Sequence, residues 1–204
     1  MVTETFLPRA SSLKTHSPLE RQLVTPADEE LARRVQHGDT SDLAVLVQRH
    51  HSPLLGFLYR LTGGDRSLAE DLTQEAFLRA LRSIQQYQPS RRFKPWLYAI
   101  AVNVARDHFK RAATRYAVAL TDEEFTSLAD PIELDESIAD EGQRVATAIR
   151  ALPVHQREAL ILRYYQDLSL AEIAEVLAVP IGTVKSRVSL GLRQLRLWLK
   201  DDEA

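Results

Sequence analysis

Thr183, Lys185, Ser186, Arg187, Ser189 and Arg193 crowd the start of one amphipathic stretch, VPIGTVKSRVSLGLRQLR. Hydroxyls and cations at that spacing supply donors for phosphate oxygens and base edges, so the chemistry on offer is recognition of DNA rather than bond-making. On a helical wheel Val184, Val188, Leu192, Leu195 and Leu199 fall within one arc of about 80°. Lys185, Ser189, Arg193 and Arg196 fall within a second arc of similar width, with Ser186 beside it. The preceding SLAEIAEVLA reads as a short bracing helix, with Ser169 as N-cap and Ile173, Ala174 and Leu177 as its packing face. A braced second helix with polar and basic residues near its N-terminal end is the plan of a helix-turn-helix. A generic amphipathic hairpin with a solvated basic face would share the periodicity but not the small-residue turn.

Two further constellations lie upstream. Between 87 and 111, Tyr87, Phe93, Trp96, Tyr98 and Phe109 interleave with Arg91, Arg92, Lys94, Arg106, Lys110 and Arg111. Aromatic faces stack unpaired bases and cations track the phosphates, which suits capture of a melted strand. Phe93 and Trp96 serve equally well as core, since Trp96 adjoins Leu97 and lies one turn from Ile100. Asn103, an amide between Val102 and Val104, needs a partner; Asp107 is expected to pair with Arg106, Lys110 or Arg111. Asp71, Gln74 and Glu75 share one side of a helix at i, i+3 and i+4. By themselves they could be an ordinary solvated acidic face.

These residues must be held by helices. Thr25 can cap a first helix, with Pro26 at its first position and Gly38 as its stop. A second helix covers 41–61, and Pro53 inside it should kink or interrupt it. Asp65 can cap a third through about Gln86, with Leu68, Leu72, Ala76, Leu78 (or Phe77) and Leu81 as its core face. A fourth runs from about 93 to 111. Helical periodicity resumes near Gln143, with a helix at 154–165 before the opening motif. No strand signal and no internal repeat intervene. The fold class is all-α: two small helical domains joined by an acidic linker, the C-terminal one a helix-turn-helix.

Charge distribution marks the boundaries. Residues 29–112 carry 13 basic and 9 acidic side chains, and 143–200 carry 9 basic and 4 acidic. Residues 113–142 carry one basic residue, Arg115, against nine acidic ones. The net charge of −2 therefore hides two mildly basic blocks around an acidic segment. The expected organisation is a flexible tail at 1–24, a helical domain at 25–112, a linker at 113–142 and a second helical domain at 143–204. The chain has no cysteine, which removes disulfides, thiolate metal sites and cysteine nucleophiles and suits a reducing cytoplasm. No apolar run approaches the roughly 18 residues of a membrane span, and no apolar signal-peptide segment precedes the first helix. His50 and His51 point about 100° apart on a helix and make a poor metal pair. No nucleophile–base array, phosphate loop or carboxylate pair is present, so neither intrinsic catalysis nor a cofactor is expected.

Three motifs in one order now resemble a known family, the bacterial sigma factors of the extracytoplasmic-function (ECF) group within the sigma-70 superfamily. LPVHQREALILRYYQDLS with the opening motif resembles their C-terminal domain. DRSLAEDLTQEAFLRAL is similar to their core-polymerase-binding helix, and FKPWLYAIAVNVARDHFKR to their stretch for promoter melting and minus-10 recognition. The resemblance covers roughly 29–112 and 143–199 and implies a non-enzymatic transcription initiation factor, cytoplasmic and responsive to stress or another signal. It implies that Asp71, Gln74, Glu75 and Phe77 dock on the β′ coiled coil of core RNA polymerase. It assigns Arg91, Arg92, Lys94, Tyr98, Asn103, Arg106, Lys110 and Arg111 to the minus-10 element and melted single strand. It assigns Thr183, Lys185, Ser186, Arg187, Ser189 and Arg193 to minus-35 duplex DNA, with the β flap as a second polymerase contact. It further implies a linker threaded through polymerase channels and an anti-sigma factor as partner, with no membrane insertion.

The chain departs from the family where an Arg-Ala-Arg-like triplet usually follows KSR. Leu190-Gly191-Leu192 stands there, removing two cations and adding a glycine that costs roughly 1 kcal/mol of helix propensity relative to alanine. The expectation is weaker minus-35 binding by the isolated domain, or an apolar patch for a protein partner. The competing reading is a self-sufficient helix-turn-helix regulator with a dimerising N-terminal domain. The acidic helix face and acidic linker argue against it.

Overall fold

The computed structural model describes residues 26–119 and 141–201, and its regular elements are all helical. The expected tail at 1–24 lies outside the described residues, as do Thr25 and positions 120–140 of the acidic segment. The N-terminal unit comprises α1 (Asp28–Gln36), α2 (Thr40–Leu61), α3 (Arg66–Ser83) and α4 (Phe93–Ala119). A short 3-10 turn, Ile84–Gln86, extends α3. The C-terminal unit comprises α5 (Glu141–Ala151), α6 (Val154–Tyr164), α7 (Leu170–Leu177) and α8 (Ile181–Asp201).

Helix α1 starts at Asp28, two residues later than the proline signal predicts, and its N-cap Ala27 offers no side-chain bond. Asp28, Glu29 and Glu30 instead put negative charge at the positive helix end. Asp28 also ties α1 to α2, accepting from Arg49 at 2.8 Å and facing His50 Nε2 at 2.7 Å. Glu29 caps α4 by accepting from the Phe93 amide at 3.0 Å.

Pro53 does not break α2, which is assigned as one helix from Thr40 to Leu61. The helix is the hub of the N-terminal unit. Leu46, Leu54, Phe57, Leu58 and Leu61 are all buried, and α2 contacts α1, α3 and α4. Burial of that many large side chains outweighs one lost helical hydrogen bond, the more so with the proline ring itself exposed. Gly63 and Gly64 end α2 in the left-handed region, φ 76° and 93°, where a Cβ would be strained.

Helix α3 is capped by Asp65, which accepts from the Leu68 amide at 2.9 Å. Its inner face differs from the expected one: Ala69, Leu72, Thr73, Ala76 and Ala80 are buried, whereas Leu78 and Leu81 are 48% and 42% exposed. Small residues let α3 lie close to α2 and α4, and the leucines are turned outward. Helix α4 continues to Ala119, past the expected end near 111.

In the C-terminal unit Ser169 opens α7 with a reciprocal capping box. Its hydroxyl accepts from the Glu172 amide at 3.2 Å, and the Glu172 carboxylate accepts from the Ser169 amide at 2.8 Å. Ile173, Val176 and Leu177 fill the packing face. The turn into α8 passes through Ala178 at φ 53°, a left-handed residue with an exposed methyl. Ala178→Gly is therefore expected to stabilise the chain by roughly 0.5–1 kcal/mol, read as a higher denaturation midpoint. A lower midpoint would show that the methyl group packs.

The two units meet along α4–α7 and α2–α6. Arg157 donates to the Leu61 carbonyl at 3.0 Å, and the Arg60 guanidinium lies 4.1 Å from the centroid of the Tyr165 ring.

Candidate nucleic-acid interface

The face of α8 follows the wheel. Val184 is fully buried, and Val188 and Leu195 are partly buried against the core. Lys185, Ser186, Ser189 and Arg193 are exposed, and Thr183 and Arg187 are half-buried. Ser186 donates to the Gly182 carbonyl at 3.1 Å, which leaves its oxygen lone pairs to accept. Arg187 has one guanidinium nitrogen, Nη1, buried without a hydrogen-bond partner. Leu190 and Leu197 are 42% and 58% exposed, an apolar pair on the edge of the basic face. Gly191 is buried where α8 crosses α6: a Cβ there would lie 2.7 Å from Leu160 Cδ1 and 3.5 Å from Gln156 Cβ. That close approach accounts for the glycine that helix propensity alone disfavours.

Along α4 and the two arginines that precede it, the expected single-strand contacts divide. Arg91, Asn103, Lys110 and Arg111 are exposed. The other four touch the C-terminal unit. Arg92 pairs with Glu172 at 2.8 Å, and Lys94 donates to the Gln166 carbonyl at 2.7 Å. Tyr98 is fully buried, its hydroxyl bonded to the Gln166 side chain, and burial pushes that phenol well above its usual range. Arg106 grips Glu158 with two bonds, 2.9 and 2.7 Å, and Glu158 is 2% exposed at its side chain. Of the aromatics, Phe93 is core, whereas Trp96 is half-buried, its ring 5.0 Å from Tyr87 and 5.5 Å from Phe93.

On α3, Asp71 and Gln74 are exposed, and Glu75 and Phe77 are half-buried. The Phe77 ring stacks on His51 at 6.3 Å. With Leu78 and Leu81 they make an acidic face with an apolar border. Glu75 accepts from Arg79 at 2.7 Å, and Arg79 reaches across to Asp107 on α4 at 2.8 Å. Arg79 holds both carboxyls below their ordinary range. Asp107 thus pairs with a neighbouring helix rather than with Arg106, Lys110 or Arg111 as expected. Between α3 and α4 opens a concavity of about 410 Å³ lined by Arg79, Arg82, Ser83, Gln86, Ile100 and Asn103. It gives the Asn103 amide a cationic, solvent-open setting.

Sequence reasoning missed Arg79 as the bridge between α3 and α4, and Glu158, Gln166 and Glu172 as partners of α4. Glu158 did carry a signal. It is an acid inside the apolar run LPVHQREALILRYY, and a buried carboxylate demands a cation.

The family described as Sigma-70 region 2 matches residues 46–115, and Sigma-70, region 4 matches 142–195. The ECF RNA polymerase sigma factor SigW of Bacillus subtilis is 32% identical over 178 residues, 83% of this chain and 95% of SigW. The RNA polymerase sigma-H factor of Pseudomonas aeruginosa is 34% identical over 81% of this chain and 90% of its own. Among solved structures, CnrH in complex with the cytosolic domain of CnrY is 27% identical and superposes with a TM-score of 0.65 over 87% of this chain and 99% of CnrH. The sigma factor RpoE of Bartonella quintana, solved with the anti-sigma factor NepR, shares the fold at 24% identity and a TM-score of 0.64, over 79% of this chain and 98% of its own.

Proposed function

The chain belongs to the ECF RNA polymerase sigma factors, and from that premise we infer that it binds core RNA polymerase and directs it to promoters. RNA synthesis is the work of the polymerase; this chain supplies recognition. We assign the unit at 25–112 to core binding, minus-10 recognition and melting, and the unit at 143–204 to minus-35 recognition. The acidic segment between the end of α4 and the start of α5 connects them.

The observation that carries this reading is the set of three chemically different surfaces on one chain. An acidic face with exposed leucines on α3 suits a protein partner with basic side chains. The cations and amide of α4 suit a melted strand. The exposed Lys185, Ser189 and Arg193 of α8 suit the major groove of a duplex. A repressor acting alone has no use for the first two. Two modest DNA modules held at a set distance gain avidity only when polymerase fixes that distance. The action is placed in the cytoplasm, where promoter and polymerase meet. A protein that masks these surfaces, an anti-sigma factor, is the further partner, and the complex of the relative CnrH with part of CnrY supports such a protein partner.

Titration of the labelled chain with purified bacterial core polymerase tests the assignment. Saturable binding is expected, and no binding would sink it. Lys185→Ala combined with Arg193→Ala is expected to weaken binding to minus-35 duplex and to lower the salt slope of log K by about 2, with core affinity retained. An unchanged slope would move the phosphate contacts off α8.

A further inference from the structure

Leu190-Gly191-Leu192 stands where related chains usually carry cations, and its three members have three different surroundings. Gly191 is buried where α8 crosses α6, with Leu160 filling the space a Cβ would need. Leu192 is half-buried on the arc that faces the core. Leu190 is 42% exposed. Of the two leucines, only Leu190 stands among the residues assigned to duplex DNA. It lies one turn beyond Ser186, about 40° round the helix and about 6 Å along it. Ser189 precedes it and Arg193 follows one turn later, both exposed.

A single exposed leucine on a protein surface needs no explanation in itself. The setting of this one does. Leu190 sits at the edge of the basic arc, and Arg187 stands beyond it. Around the helix, Lys185 and Arg196 border one side and Arg187 the other, so that Ser186, Ser189 and Leu190 make a neutral strip between cations. In a major groove the phosphates run along both edges and the bases form the floor. Bordering cations suit the two phosphate strands, and a neutral strip suits the base edges between them.

The three side chains of that strip differ in what they can read. The hydroxyls of Ser186 and Ser189 donate or accept, so they serve any base edge. Leucine does neither. The major groove displays one apolar group, the C5 methyl of thymine. Against guanine or cytosine, leucine would strip water from acceptors or from an amine and return no hydrogen bond. Resting on the minus-35 assignment above, we propose that Leu190 is a specificity-determining residue, which selects one thymine of the minus-35 duplex through its C5 methyl group. Arginine in its place would offer two donors to guanine instead. The closeness of α8 to α6 at Gly191 fixes the height of Leu190 above the groove.

The test uses the full chain assembled with core polymerase and a pool of promoter duplexes randomised across the minus-35 region, with bound sequences read by sequencing. The native assembly is expected to enrich thymine at one position. Leu190→Arg is expected to shift that position to guanine by at least about tenfold, with the other positions unchanged. On the selected duplex, deoxyuridine in place of that thymine removes the methyl alone and should weaken native binding about fourfold, the effect of one buried methyl group. Leu190→Ala should show no such loss, and Leu190→Met should keep most of it. Leu197→Ala changes an apolar side chain that is 58% exposed two turns further on, and should keep all of it. Equal strengthening of every sequence by Leu190→Arg, with a steeper salt dependence, would put the side chain against phosphate and refute the thymine contact. A native assembly that selects no thymine, or is insensitive to uracil, would refute it too and leave the leucine to a protein partner. In each of these cases retained core binding keeps the sigma-factor assignment standing. If the native chain binds no core polymerase, the assignment falls and the thymine contact with it.

Discussion

Arginine at position 75 is expected to weaken binding to core polymerase by roughly thirtyfold or more, the effect of about 2 kcal/mol at a buried interfacial charge. Glu75 sits between exposed Gln74 and half-buried Phe77, beside the outward Leu78 and Leu81. Leucines left exposed on a helix that packs well elsewhere suit contact with a protein partner, and carboxylates around them would favour a basic one. The Arg79 guanidinium keeps the Glu75 carboxyl below its usual range, so the negative charge persists through neutral and mildly acid conditions. Reversal places a second cation one turn from Arg79 and leaves Arg79 bonded to Asp107 alone. Glu75→Gln separates the two effects: it removes the charge without adding repulsion and should give an intermediate loss. Equilibrium titration with core polymerase, alongside circular dichroism for folding, provides the readout. Native-like affinity in folded Glu75→Arg would place the docking surface elsewhere.

The second large effect is expected at Gly191. Leucine there has to fit into space already held by Leu160, which is 3% exposed, and by Gln156 at 8%. A shift of α8 away from α6 is the available relief, at about 2–3 kcal/mol of stability lost from the C-terminal unit. The displaced helix carries Lys185, Ser189 and Arg193 out of register with the groove, so minus-35 duplex binding should fall at least tenfold. Core binding through α3 should persist. Gly191→Ala is the milder case, because the gain in helix propensity of roughly 1 kcal/mol opposes the contact with Leu160. A Gly191→Leu protein as stable as the parent would mean that the α6–α8 crossing is loosely packed.

The sequence was most legible where pattern and local chemistry agree. Ser169 with Glu172, Asp65 before α3 and the five-residue apolar stripe of α8 each announce themselves through spacing alone. Pro53 does not interrupt α2 because local cost is weighed against tertiary packing, and this hub helix buries five large side chains. Leu78 and Leu81 are the opposite case. Hydrophobic residues at helical spacing read as core, yet alanines supply the core here and the leucines face outward. Arg79 and Asp107 are 28 positions apart, and Arg106 and Glu158 are 52 apart. No periodicity within one helix reveals such pairs. They follow from how helices cross.

The same residues explain why the DNA surfaces were only half visible. Charge type and spacing make Arg92, Lys94 and Arg106 candidates for nucleic-acid contact, but which of them is already paired is decided by tertiary structure. Glu158 and Glu172 hold two of them in the free chain. Composition also concealed the basic face of α8, since the acidic segment at 113–142 brings the net charge to −2.

Run-off transcription with purified core polymerase, on a library of genomic promoters from the source bacterium, tests the central claim most directly. Promoter-directed transcripts are expected only when the chain is added. They should be lost when the two promoter elements are moved apart by about 5 base pairs, half a helical turn, because two linked modules then face different sides of the duplex. A core polymerase that gains no promoter-dependent transcript from the chain, and no affinity for it, would contradict the account.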